Sequence, residues 1–116
     1  MATILYVEDH PPAQLLMQAI VSELTAHRLI CAPTGEEARE IVSRDPVNLY
    51  ILDLDLPDTD GVTLAQTLTT IHDAPVILVS AYAEAIKPEN LSYFYLAKPL
   101  DPDDVAKIIQ RAVAGQ

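Results

Sequence analysis

The amino-acid sequence predicts an α/β fold, in which a doubly wound parallel sheet is covered by helices on both faces. Three observations predict it. Short apolar segments rich in β-prone residues alternate with segments whose apolar residues recur at helical spacing. The apolar segments are continuous runs, as is typical of strands buried on both faces. Polar residues follow several of these runs where they end, which is where open α/β sheets bind their ligands.

Five segments are predicted to form the strands. Each is short and apolar, and turn or helix-start residues follow it. Because strands alternate with helices, parallel pairing is favoured over antiparallel pairing. The predicted strands are Thr3–Val7, Arg28–Ala32, Val47–Leu52, Pro75–Val79 and Tyr93–Leu96.

Helices are predicted between these strands and after the last one. Proline at the first turn suits the first helix, since the N–H groups there lack helical partners. Thr34 and Glu37 have the spacing of a capping box, and Asp101 is a candidate N-cap. The predicted helices are Ala13–Thr25, Thr34 to about Ser43, Val62–His72 and a last helix from about Asp101. The apolar positions of the first helix are Leu15, Leu16, Ala19, Ile20 and Leu24.

Length and composition limit the class of protein. The 116 residues predict a single domain, spanning 1–116. A net charge of −10, with seven scattered Lys and Arg residues, argues against direct binding of nucleic acid. The single Cys31 rules out an intrachain disulfide. The apolar runs are too short to cross a bilayer, so we expect no membrane insertion and a cytoplasmic protein.

Chemically useful side chains end four of the predicted strands. Glu8 and Asp9 follow the first strand, Asp53 the third, Ser80 the fourth and Lys98 the fifth. In a parallel sheet these ends share one edge, so we expect the side chains to converge. Carboxylates brought together repel each other, and oxygen ligands of this kind suit Mg²⁺.

We therefore predict a magnesium site with a nucleophile beside it. Asp9 and Asp53 are the expected direct ligands, Glu8 acts through water, and the backbone carbonyl of Asp55 supplies another oxygen. Asp53 can then accept a phosphoryl group as an aspartyl-phosphate. Lys98 and Ser80 are expected to contact the phosphoryl oxygens, since phosphoryl transfer needs mainly positioning and charge neutralisation.

Together these residues resemble the receiver domains of response regulators, of the chemotaxis-regulator type. The resemblance covers the whole chain in the right order. It implies a flavodoxin-like sheet with strand order 2-1-3-4-5. The matching motifs are Val7-Glu8-Asp9, Asp53 with Pro57 four residues later, Asp60-Gly61, Ser80-Ala81 and Lys98-Pro99.

The resemblance also implies a function. Asp53 would accept a phosphoryl group from a phosphohistidine of a sensor histidine kinase or phosphotransfer protein. Ser80 and Tyr95, three residues before Lys98, would then switch position. The face formed by the fourth helix, fifth strand and last helix would change its affinity for a downstream protein target. Such a domain promotes only its own phosphorylation and dephosphorylation, and is not a metabolic enzyme.

The chain departs from the family pattern between Ser80 and Lys98. This stretch is shorter than usual by about four residues, roughly one helical turn. Lys87-Pro88 also interrupts the helix expected in Ala81–Ser92. We therefore expect a shortened or irregular fourth helix and a remodelled output face.

Two other functions stay open from the sequence. Asp53-Leu54-Asp55 resembles the Asp-x-Asp motif of haloacid-dehalogenase-type phosphatases, but the motif lies mid-chain and the chain is too short for a cap domain. A pseudo-receiver would keep the fold and bind a partner without phosphorylation. The complete set of site residues argues against it.

Overall fold

One parallel sheet forms the centre of the protein. The computed structural model describes residues 1–81 and 93–114. The strands are β1 (Thr3–Val7), β2 (Arg28–Ala32), β3 (Leu49–Asp53), β4 (Val76–Ser80) and β5 (Phe94–Ala97). They pair in the order β2-β1-β3-β4-β5, and every pairing is parallel. The predicted fold class and strand order are therefore confirmed.

Helices cover both faces of the sheet. They are α1 (Pro11–Leu24), α2 (Gly35–Arg44), α3 (Gly61–Ile71) and α4 (Pro102–Ala114). α1 and α4 pack on one face, where Met17 and Ile109 are buried, and α2 and α3 pack on the other, where Val42 and Leu68 are buried. β1, β3 and β4 are almost wholly buried between these layers. The helix predicted within Ala81–Ser92 lies outside the described residues.

The start signals in the sequence correspond to helix caps in the structure. The Thr34 hydroxyl accepts a hydrogen bond from the backbone N–H of Glu37 at 3.1 Å. The Asp101 carboxylate accepts one from the N–H of Asp104 at 3.0 Å. α1 begins two residues before the predicted Ala13, with proline at its first positions, because a proline there gives up no helical hydrogen bond.

Most of the apolar positions noted in the sequence of α1 do not lie on its buried face. α1 buries Met17, Ile20 and Val21. In contrast, Leu15 and Leu24 are 67% and 48% exposed, and Leu16 and Ala19 are also exposed. The helix carries apolar residues around much of its circumference, so periodicity alone does not select the face. Packing against β2 and α4 selects it.

Candidate functional site

Three carboxylates meet at the C-terminal edge of the sheet. Glu8 and Asp9 follow β1, and Asp53 is the last residue of β3, which pairs with β1. One carboxylate oxygen from each lies within 4.8 Å of the others. Glu8 and Asp53 are 1% and 5% exposed, whereas Asp9 is open to solvent. Two of the three acids are thus held away from water, with the third at the mouth of the site.

Lys98 brings a positive charge to the two buried acids. Its Nζ lies 2.9 Å from Glu8 Oε1 and 2.8 Å from Asp53 Oδ2. The backbone N–H of Lys98 bonds to the carbonyl of Ser80 at 2.9 Å, which continues the pairing of β5 with β4 beyond its last residue. The long side chain then reaches past β4 to the end of β3. The predicted convergence of residues 8, 9, 53 and 98 is therefore found.

Electrostatics favour a further cation in this cluster. Burial, together with the neighbouring Asp53, raises the pKa of Glu8 from 4.5 to about 7, although Lys98 opposes the shift. Burial lowers the pKa of Lys98, but hydrogen bonds and opposite charges from Asp53 and Glu8 outweigh it and leave the pKa raised. One ammonium therefore does not neutralise all the negative charge. A proton on Glu8 or a metal cation supplies the rest.

The donor set fits Mg²⁺. It consists of carboxylate oxygens with one side open to water, and Mg²⁺ prefers one or two carboxylates together with several waters. Asp53 Oδ1 accepts the backbone N–H of Asp55 at 3.0 Å, and Oδ2 accepts the Lys98 ammonium. Each carboxylate oxygen has a second lone pair, so both can still bind a metal or attack phosphorus. The roles of Asp9, Glu8 and the Asp55 carbonyl as ligands stay predictions.

Ser80 and Tyr95 occupy different surroundings. Ser80 is the buried last residue of β4, and so lies along the edge between the ends of β3 and β5. Tyr95 is half-buried in β5 and packs, with Tyr93, against the core beneath α2 and α3. These two tyrosines share a face because successive side chains of a strand alternate between its two faces. The switch roles of Ser80 and Tyr95 stay predictions.

The loop after Asp53 is closed at its base. The N–H of Gly61 bonds to the carbonyl of Leu54 at 3.1 Å, and Asp55 pairs with Asp60 in an antiparallel bridge. A Cβ atom at Gly61 would lie 2.6 Å from the carbonyl oxygen of Asp53. The close return of the chain therefore requires glycine at this position. Asp60 caps α3 by accepting the N–H of Thr63 at 2.8 Å.

Two contacts near the site were not foreseen from the sequence. The Gln14 side chain donates a hydrogen bond to the backbone carbonyl of Glu8, which ties α1 to the end of β1. The Asp58 carboxylate bonds to the start of α2 and not to its own neighbours in the chain. No local sequence pattern predicts the second contact, because Gly35 and Glu36 lie 23 and 22 residues from Asp58 in the chain.

Comparison with known proteins identifies the family. The family described as "Response regulator receiver domain" matches residues 4–110. The chain belongs to this family. Receiver domains are the signalling switches of two-component systems, and neither the phosphatase nor the pseudo-receiver alternative is favoured by the match.

Relatives of this receiver domain occur within larger proteins. It is 28% identical to the histidine-protein kinase BarA of Escherichia coli K12, covering 97% of the chain and 13% of the kinase. It is 36% identical to the transcriptional regulatory protein BaeR of Escherichia coli O6:H1, covering 88% of the chain and 44% of BaeR. The chain thus spans less than half the length of these curated relatives.

A solved structure agrees with the fold. The response regulator TrrA of Thermotoga maritima, in complex with Mg²⁺–BeF, is 26% identical to this receiver domain with a TM-score of 0.83. The match covers 97% of this chain and 99% of that one. Within the residues that the structure describes, none of the helices has the length and apolar character needed to cross a membrane.

Proposed function

We propose that this receiver domain is switched by Mg²⁺-dependent phosphorylation of Asp53, with a phosphohistidine of a sensor histidine kinase or phosphotransfer protein as donor. The observation that carries the proposal is the position of Asp53. Its carboxylate is 5% exposed, contacts Lys98 Nζ at 2.8 Å and lies in a cluster with Glu8 and Asp9. A buried, charge-compensated nucleophile at a sheet edge suits acceptance of a phosphoryl group.

The side chains divide the work of the transfer. An oxygen of Asp53 forms a bond to phosphorus while the phosphorus–nitrogen bond of the donor breaks, and the electron pair leaves with the imidazole nitrogen. Mg²⁺, held by Asp9 and Asp53, with Glu8 through water and the Asp55 carbonyl, would neutralise charge on the phosphoryl oxygens. Lys98, already in contact with Asp53, neutralises another oxygen. The Ser80 hydroxyl donates to a third.

The output is a change of protein surface. We propose that Ser80 moves toward the phosphoryl group and that Tyr95 follows, since both lie in neighbouring strands at or near the site edge. The resulting surface, which includes β5 and α4, binds a downstream protein target. With a net charge of −10, we expect no direct contact with nucleic acid. The domain acts on no metabolite and is expected to work in the cytoplasm.

Intact mass measurement tests this function. The protein is incubated with acetyl phosphate, with and without Mg²⁺. We expect the wild type to gain one phosphoryl group only with Mg²⁺, and Asp53→Asn to gain none. Asp73→Asn is the matched control, because Asp73 is exposed and lies before β4, at the opposite edge of the sheet. A wild type that stays unmodified, or an Asp53→Asn variant modified to the same extent, contradicts the proposal.

A second measurement separates the switch from a phosphatase. A phosphatase would hydrolyse a small phosphoester through many turnovers, whereas a receiver domain holds at most one phosphoryl group per chain. We expect the receiver domain to release no more than one equivalent of phosphate per chain from the phosphoester, with no sustained hydrolysis. Sustained turnover that depends on Asp55 would favour the phosphatase.

A further inference from the structure

The start of α2 receives hydrogen-bond acceptors from two separate parts of the chain. The first N–H groups of a helix lack partners within it. The side chain of Thr34, the residue before the helix, accepts the N–H of Glu37. The N–H of Gly35 bonds to Asp58 Oδ1 at 2.9 Å, and the N–H of Glu36 bonds to Asp58 Oδ2 at 3.0 Å. Both oxygens of one carboxylate from the loop after β3 are therefore used on α2.

A packing contact holds the same two segments together. A Cβ atom on Gly35 would lie 2.7 Å from the Thr59 methyl group and 3.4 Å from Asp58 Oδ1. A larger residue at position 35 would therefore require the Thr59 side chain to shift. Asp58 and Thr59 both contact the first turn of α2, which makes the contact a junction between two segments and not a single exposed hydrogen bond.

The Asp58 carboxylate lies at the start of α2, where backbone N–H groups favour a negative charge. Hydrogen bonds from the backbone N–H groups, that of Gly35 first, lower the pKa of Asp58, and the charge of Arg39 acts in the same direction. The positive end of the helix dipole also favours a carboxylate at this position. The junction is thus present throughout the neutral pH range.

The loop that Asp58 holds also carries part of the proposed metal site. Its base is fixed by the bridge between Asp55 and Asp60, and the N–H of Asp55 bonds to Asp53 Oδ1 at 3.0 Å. Its tip, three residues beyond Asp55, is fixed to α2 by Asp58. The backbone of Asp55 therefore lies between two anchoring points.

We propose that Asp58 is a positioning residue for the metal and phosphoryl site. By fastening the tip of the loop to the start of α2, it holds the Asp55 carbonyl in place for Mg²⁺ without touching the ion. The proposal rests on the proposed function of the site. It adds that α2, a helix outside the predicted output face, is coupled to occupancy of the site.

Coupling between two sites is reciprocal. If the junction strengthens Mg²⁺ binding, then Mg²⁺ binding must strengthen the junction by the same factor. We therefore expect Mg²⁺ to slow hydrogen exchange of the Gly35 and Glu36 amides in the wild type. In Asp58→Ala this slowing should disappear, because the amides no longer have an acceptor on the loop.

The test compares two variants that each remove a cap from the same helix end. Asp58→Ala removes the cap that belongs to the loop, and Thr34→Ala removes the cap that belongs to α2 alone. Mg²⁺ is titrated into each folded variant and its affinity is measured by NMR chemical shifts. We expect Asp58→Ala to bind Mg²⁺ about fivefold more weakly, at the lower end of coupling between sites, and Thr34→Ala to bind as the wild type does.

Asp58→Asn provides a second measurement. It keeps one acceptor oxygen, so we expect an intermediate Mg²⁺ affinity even if the alanine variant does not fold. Unchanged affinity in the Asp58 variants, or equal weakening in Thr34→Ala, would show that Asp58 is only a helix cap. Those outcomes leave the proposed function intact, provided that the wild type binds Mg²⁺ and is phosphorylated. A wild type that binds no Mg²⁺ overturns both proposals.

Discussion

A single ammonium group contacts two buried carboxylates at the centre of the site. Lys98 contacts both Glu8 and Asp53, which are nearly inaccessible to water, while its own side chain is 28% exposed. Removing the positive partner of a buried ion pair is costly, because the remaining charge has neither water nor a counter-ion. Lys98 therefore contributes to folding as well as to the proposed chemistry.

We predict that Lys98→Met destabilises the metal-free protein by about 2–3 kcal/mol, somewhat less than for a fully buried pair because Lys98 is partly exposed. Urea unfolding without Mg²⁺ measures the change. Lys107→Met, at an exposed position of α4, is the control and should be nearly neutral. Equal stabilities of the two variants would contradict the role of Lys98 as the compensating charge.

Glu8 gives the metal-free protein a characteristic pH dependence. The pKa of Glu8 is raised from 4.5 in the ordinary state to about 7 in the folded protein. Between these two pKa values Glu8 keeps its proton in the folded protein but loses it in the unfolded chain. The contribution of Glu8 to stability is therefore fully present below the pKa of the unfolded chain and is lost as pH rises through the pKa of the folded protein.

We expect the free energy of unfolding of the metal-free wild type to decrease between pH 4.5 and 7, with a contribution of up to about 1.4 kcal/mol per pH unit from this group. Chemical unfolding at a series of pH values measures it. Glu8→Gln should flatten the slope across this window. A slope that persists in the variant would assign the effect to other groups.

At the scale of single residues, the sequence predicts the placement of those site residues that stand at the ends of apolar strands. Asp53 and Lys98 each stand at the end of an apolar strand, so their convergence follows once the strands are parallel. The role of Asp58 does not follow in this way. The N–H groups that donate to Asp58 belong to a helix that is distant in sequence, and the packing of the loop on Gly35 brings them together.

Among the elements, α1 shows the limit of periodicity. Strands β1, β3 and β4 are predictable because continuous apolar runs favour burial on both faces. α1 has apolar residues on several sides, and the buried side is chosen by the neighbours it meets. Met17 is completely buried while Leu15 is 67% exposed, although both fit an apolar helix.

We predict that Met17→Ala costs about 2–5 kcal/mol of stability, the usual range for truncating a large buried side chain. Leu15→Ala should change stability by less than about 0.5 kcal/mol, as for most exposed positions. Thermal or urea unfolding of the two variants provides the comparison. The reverse order of the two effects would mean that α1 buries the face that carries Leu15 and not the face that carries Met17.

Considered as a whole molecule, the protein forms its site from β1, β3 and β5, which span most of the width of the sheet. A cation that binds the folded state and not the unfolded chain stabilises the fold by mass action. The proposed Mg²⁺ site should therefore be visible in global stability and not only in chemistry.

We expect Mg²⁺ at about a hundred times its dissociation constant to add about 2.7 kcal/mol to the free energy of unfolding. Asp9→Asn should lose most of this gain at the same Mg²⁺ concentration. Asp73→Asn, at the opposite edge of the sheet, should keep it. Differential scanning fluorimetry measures all three proteins. Equal gains in both variants would indicate nonspecific screening of the acidic surface.

The placement of β1 has a consequence for biosynthesis. This strand is made first, yet it lies inside the sheet between β2 and β3, and the residue that compensates Glu8 is 90 positions further on. A nascent chain halted before Lys98 leaves the exit tunnel therefore exposes two acids without their ammonium partner. We expect such ribosome-stalled fragments to be protease-sensitive and unable to take up a phosphoryl group until Lys98 has emerged.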